Sequence, residues 1–186
     1  MAGALETNFP SLAEQLGREG VRALQDLMRP RRVPIGTVVI QDQGPVDALY
    51  LVMEGVCSVA IEERGCSIRL GRFGPGQWLG EVALFSGERT ASATVLAETA
   101  LQLLELKYDD FERLKREQEA VAGVLTHVLI GVMAERLRAS DEALREAPDG
   151  QWELPACAII AQDSGDPGAA WFKLVLRKLA GAEGGQ

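Results

Sequence analysis

The chain is poor in the side chains that metal and nucleophilic chemistry require. Its 186 residues include one histidine, His127, and three cysteines, Cys57, Cys66 and Cys157, with no metal-ligand spacing among them. A metal-dependent barrel enzyme of the cupin kind needs clustered histidine and carboxylate ligands, and one histidine cannot supply them. No Gly-x-Ser-x-Gly elbow, phosphate-binding P-loop or paired-carboxylate motif stands out either, so the chain reads as non-catalytic and metal-free. Positive charge is also short. With 27 acidic against 19 basic residues the net charge is -8, which gives little long-range attraction to nucleic-acid phosphates. The longest apolar stretch, Val121 to Ala134, is interrupted by Thr126 and His127 and is too short to cross a bilayer. Met1 to Phe9 has neither a basic leader nor an apolar run. An odd number of unspaced cysteines fits free buried thiols in a reducing compartment. A cytoplasmic protein with no direct nucleic-acid partner and no membrane span is the expectation.

What is present is enough apolar material, 47% of residues, for one domain with an extension. Ser11-Leu12-Ala13-Glu14 has the form of a capping box, and Leu12, Leu16, Val21, Leu24 and Leu27 mark the apolar face of a helical region that Gly17 and Gly20 break in two. The run Arg29 to Arg32, containing Pro30 and followed by Pro34, reads as a solvated exit from helix into extended chain. From Val33 to Val95 the pattern changes to short apolar runs cut by glycines. Thr37 to Ile40, Ala48 to Met53, Cys57 to Ile61, Ser67 to Leu70, Ala93 to Leu96 and Ala100 to Leu106 are spaced as in an all-β barrel or sandwich. Glu62 to Gly65 is a hairpin turn that sets Cys57 opposite Gly71 and not opposite Cys66. Tyr108 to Leu114 starts a helix with acidic residues in its first turn. Over Val121 to Arg145, Thr126, Ile130, Met133, Leu137, Ser140 and Leu144 form one stripe, and Val121, Leu125, Val128 and Val132 a second. Two stripes predict one face against the barrel and one against a partner, most simply the same helix of a second subunit.

The chain is organised around Gly80 to Val95. Gly80 permits close backbone approach, and amides near Ala83 and Leu84 at a helix start attract an anion. Glu81 can accept hydrogen bonds from a sugar hydroxyl, while Arg89, eight residues on, and Thr90 can hold a phosphate. Trp78 precedes the turn and is more readily a core residue than a ligand contact.

The order Gly80-Glu81-Val82-Ala83-Leu84, then Arg89-Thr90, resembles the phosphate-binding cassette of the cyclic-nucleotide-binding domain, found in catabolite activator proteins, protein kinase A regulatory subunits and nucleotide-gated channels. Val39 to Gly55 is similar to a second signature of that family, with Gln43 where Gly is usual and Val46 where a small residue is usual. Family cassettes place the arginine further beyond the glutamate, often after a proline. Here a shortened loop keeps Arg89 as the clamp, whereas an ungapped alignment puts Ala91 in its place.

The resemblance implies a mainly β fold with flanking helices: a double-stranded β-helix (jelly-roll) barrel followed by a long α-helix. Helices at 1–32, a barrel at 33–107 with the cassette at 76–95, helices at 108–147 and an extension at 148–186 follow from it. It implies cAMP or cGMP as ligand, held by Gly80, Glu81, Val82, Ala83, Leu84, Arg89 and Thr90, with Ser140 of Arg136-Leu137-Arg138-Ala139-Ser140-Asp141 at the purine. A homodimer through helix 121–145 is implied as well. Family activators continue into a helix-turn-helix domain, for which Pro148 to Gln186 is too short. That extension, with Trp171 to Leu179 as an amphipathic segment, is left to dock on the barrel or meet a protein partner. The alternative is a degenerate member that serves as a protein-interaction domain and binds no nucleotide.

Overall fold

The computed structural model describes residues 4–63 and 66–146. Helices α1 (Ala4–Asn8) and α2 (Pro10–Leu27) lead into strands β1 (Arg29–Val33), β2 (Val38–Ile40), β3 (Ala48–Glu54), β4 (Cys57–Glu63) and β5 (Cys66–Phe73). The two-residue strand β6 (Trp78–Leu79) and helix α3 (Glu81–Ser86) come next, followed by β7 (Thr94–Ala97) and β8 (Leu101–Lys107). Helices α4 (Tyr108–Glu117) and α5 (Glu119–Glu146) complete the described chain.

The strands form two four-stranded sheets, ordered β1-β8-β3-β6 and β2-β7-β4-β5, with antiparallel pairing throughout. This is the expected mainly β architecture with flanking helices. One continuous apolar core joins the sheets to the helices, from Leu49 and Leu51 of β3 and Leu103 and Leu106 of β8 to Leu24, Phe111, Leu125 and Leu129. Burial of this apolar surface is the main favourable term in folding.

Several details differ from the sequence reading. Pro10 takes the first helical position of α2, with Phe9 before it, so Ser11 lies inside the helix and caps nothing. Gly17 kinks the helix at φ +64, while Gly20 stays helical and buried. The arginine run is a strand: Arg29 to Val33 pairs residue by residue with β8, so extended structure begins before the boundary expected after residue 32. β8 lies inside its sheet, between β1 and β3. Cys57 faces Phe73 across the β4–β5 ladder and not Gly71, because the Glu63–Cys66 pairing sets the ladder one residue further on and a register shift between Val59 and Ala60 adds another. Its thiol is fully buried, and burial pushes it up to about 11, so it is inert under neutral conditions.

Tyr108 ties the barrel's end to the loop before β3 and to the cassette. The Tyr108 N–H donates to the Asp47 carbonyl at 2.8 Å, and the Tyr108 hydroxyl donates to the Gly80 carbonyl at 2.6 Å. Gly55, between β3 and β4, has φ +87, and a Cβ there would lie 2.3 Å from the Ala100 carbonyl oxygen. Gly55→Ala is therefore expected to destabilise the domain by more than about 1 kcal/mol, through both the left-handed φ and the clash with backbone. Urea denaturation checks this, and a wild-type midpoint would show that the turn has another conformation.

Candidate functional site

The site begins where β6 ends. Gly80 adopts φ +88, and a Cβ on it would sit 2.6 Å from the Ala48 carbonyl oxygen, so only glycine lets the chain turn from β6 into α3 this close to β3. Gly87, at φ +74, ends the helix in the same left-handed region. Within α3 the Leu84 N–H donates to the Gly80 carbonyl at 3.2 Å. Leu84 is thus not a free donor as the sequence reading held; the free amides of this first turn belong to the residues before it.

A cavity of about 70 Å³ lies beside this turn. Gly80, Glu81, Val82 and Ala83 line it from one side, and Ala91, Ser92 and Ala93 from another. Phe73, Trp78 and Leu79 add apolar wall, so Trp78 is both a core residue and a wall of the site. The volume is well below the roughly 300 to 1,000 Å³ of pockets that enclose drug-sized ligands.

Arg89 and Thr90 do not line this cavity. The Arg89 carbonyl accepts from the Val46 N–H at 2.8 Å, and Thr90 forms a β-bridge with Pro45. Arg89 itself has φ +52, a conformation that non-glycine residues rarely adopt. Its side chain is 56% exposed, with the guanidinium 5.7 Å from the centre of the Tyr108 ring and 3.8 Å from an Asp109 carboxylate oxygen. The Thr90 hydroxyl donates to the Glu88 carbonyl at 3.1 Å. Ala91, the residue that an ungapped alignment puts in place of the arginine, is buried in the cavity wall.

Glu81 is 3% exposed, and its carboxylate accepts a charge-assisted bond from Arg136 of α5. Arg136 is 7% exposed, donates also to the Trp78 carbonyl at 2.9 Å, and lies 4.6 Å from the centre of the Phe73 ring. Burial pushes the Glu81 carboxyl up, and Arg136 opposes that shift. Among the residues lining the cavity, these two carry the charge. Ser140 belongs to the backbone of α5, and its side chain lies outside the described residues.

Arg136 is the site residue that sequence reasoning missed. Its signal was positional: Leu125, Leu129 and Arg136 fall four and seven apart on the buried stripe of α5, and a charge on such a stripe needs a buried partner. Arg136→Ala leaves Glu81 buried without its partner, which is expected to cost about 3 to 5 kcal/mol near neutral pH. With Arg136 gone, burial is opposed only by a backbone hydrogen bond, and the folded-state pKa of Glu81 is raised further. Stability of the variant is therefore highest below the ordinary carboxylate range and is lost as pH rises through the raised value. Urea unfolding at acidic and neutral pH checks the sign, and Glu81→Gln added to Arg136→Ala should remove this group's contribution to the pH dependence.

Comparison with known proteins places this geometry. Residues 30–118 match the family model for the cyclic nucleotide-binding domain. A cyclic nucleotide-gated potassium channel of Mesorhizobium japonicum is 39% identical over 116 residues, which is 62% of this chain and 30% of that protein. Glutaminase 2 of Bradyrhizobium diazoefficiens is 31% identical over 131 residues, or 70% of this chain and 20% of the relative. The crystal structure of the Thermus thermophilus catabolite activator protein superposes with a TM-score of 0.60 at 30% identity, covering 72% of this chain and 61% of that one. The chain thus spans less than a third of the length of either curated relative. The barrel and its cassette, residues 30–118, belong to the cyclic nucleotide-binding domain family.

Proposed function

We propose that the chain is a non-catalytic regulatory module that binds a cyclic mononucleotide, cAMP or cGMP, in the cavity beside α3 and transmits its occupancy to α5. The observation that carries this reading is the buried pair between Glu81 and Arg136. It joins the acid suited to a sugar hydroxyl to the helix that would move. The residues proposed to frame the ligand are the turn Gly80, Glu81, Val82 and Ala83 with Leu84 behind it, and Ser140 further along α5; Arg89 and Thr90, also expected from the sequence, form a loop outside the cavity wall. Because the cavity is small and Arg136 occupies one side of it, a nucleotide enters only as that side chain and its helix shift. Ligand binding is then a choice between two positions of α5.

The outer face of α5 supports a homodimer. Ile130 is 52% exposed and Leu137 39% exposed, while Ala122, Leu125 and Leu129 of the other face are buried in the core. The stretch Glu119–Arg138 has a mean hydropathy of 1.5, long and apolar enough by composition to cross a membrane, with 22% of it buried. Docking of Leu125, Leu129 and Arg136 into the domain favours a helix that meets a second protein surface in a cytoplasmic setting. Residues 148–186, which lie outside the described residues, are proposed as a further protein contact.

A second reading has its own observation. Arg89 faces outward while Ala91 lines the cavity, the arrangement expected of a degenerate member that serves as a protein-interaction domain. Isothermal titration with cAMP and with cGMP separates the two. Saturable binding of either supports the sensor, and absence of heat with both leaves the interaction domain. On the sensor reading, saturating nucleotide changes amide hydrogen exchange across α5 more than across β8; equal change in both would contradict coupling through the helix. Ile130→Glu together with Leu137→Glu is expected to shift the chain to a monomer in analytical ultracentrifugation.

A further inference from the structure

We infer that the cation meeting the ligand's phosphate inside the cavity is Arg136 of α5, and not Arg89 of the cassette loop. The inference rests on the proposed cyclic-nucleotide reading and names the residue that reading leaves open.

Three observations lead to it. The backbone around Arg89 is pinned on both sides, with its carbonyl on the Val46 N–H and the Ala91 N–H on the Gly44 carbonyl, each at 2.8 Å. Extended chain would alternate 89, 91 and 93 onto one face, but the left-handed φ of Arg89 takes its side chain off that alternation and leaves Ala91 and Ala93 facing inward. Arg89 therefore reaches the cavity only by rebuilding the loop and leaving Tyr108 and Asp109. Arg136, by contrast, is already in the cavity wall.

The chemistry of the guanidinium fits a shared role. Its planar fork presents five N–H donors and holds two oxygen acceptors at once, as Arg136 already does with Glu81 and the Trp78 carbonyl. A singly charged cyclic phosphate arriving in this apolar site competes with the Glu81 carboxylate for the same fork. Occupancy then changes the hold of the cassette on α5 directly, because the residue that anchors the helix is the residue that binds the anion. A clamp on Arg89 would instead leave the helix anchor untouched.

The test is isothermal titration of the full chain with cAMP and cGMP, using wild type, Arg89→Ala, Arg136→Lys and the neutral pair Glu81→Gln with Arg136→Gln. Arg136→Lys keeps the charge opposite Glu81 and loses the fork, and urea midpoints show which variants remain folded. The expected result is a Kd within about threefold of wild type for Arg89→Ala, and at least about tenfold weaker binding for Arg136→Lys or, should that variant unfold, for the neutral pair. A tenfold loss on Arg89→Ala, or undiminished binding by a folded Arg136 variant, overturns the inference and leaves the nucleotide reading standing. No binding of either nucleotide by wild type overturns that reading, and the inference with it.

Discussion

A single buried charge pair ties this domain together across its length. Glu81 opens the short helix of the cassette and Arg136 belongs to the last described helix, yet each is almost wholly withdrawn from water and each is the other's counter-ion. Such a pair is a poor device for stability alone, since the loss of hydration on burial offsets much of the attraction. Its effect is specificity of position. Among the described residues, α5 has no other charged group in its buried stripe, so the guanidinium fixes how far along and around its axis the helix sits against the barrel. The rest of the site follows from that placement: the small cavity, the Phe73 wall and the occupied Trp78 carbonyl.

Much of the fold was legible because its strands alternate or run apolar between glycines. Ala48 to Met53 and Ala100 to Leu106 became the two central strands β3 and β8, with small shifts at their ends. The elements that escaped notice are those whose identity comes from a neighbour and not from their own residues. β1 is rich in arginine with a proline and extends because β8 offers it a ladder, and β6 is two residues held against β3. Tertiary pairing overrode weak local preference in both.

The cassette was legible in outline and not in its cation. Gly80 and Glu81 announced a tight turn followed by an acid, and the structure has a left-handed glycine there with a buried carboxylate beside it. Whether Arg89 faced the cavity depended on one backbone dihedral in a loop, which residue type does not encode. Arg136 was written within a quoted motif, but its importance appears only when the buried stripe of α5 is traced through Leu125 and Leu129.

The arginine-rich first strand has a consequence for the behaviour of the whole molecule. β1 is the outer strand of its sheet, and an outer strand invites another chain to add to it. Arg29, Pro30, Arg31 and Arg32 make that addition costly, because like charges would stack against each other and the proline lacks a donor for the new ladder. What reads in the sequence as a solvated exit from a helix is, in the fold, a charged sheet edge that disfavours the addition of another strand.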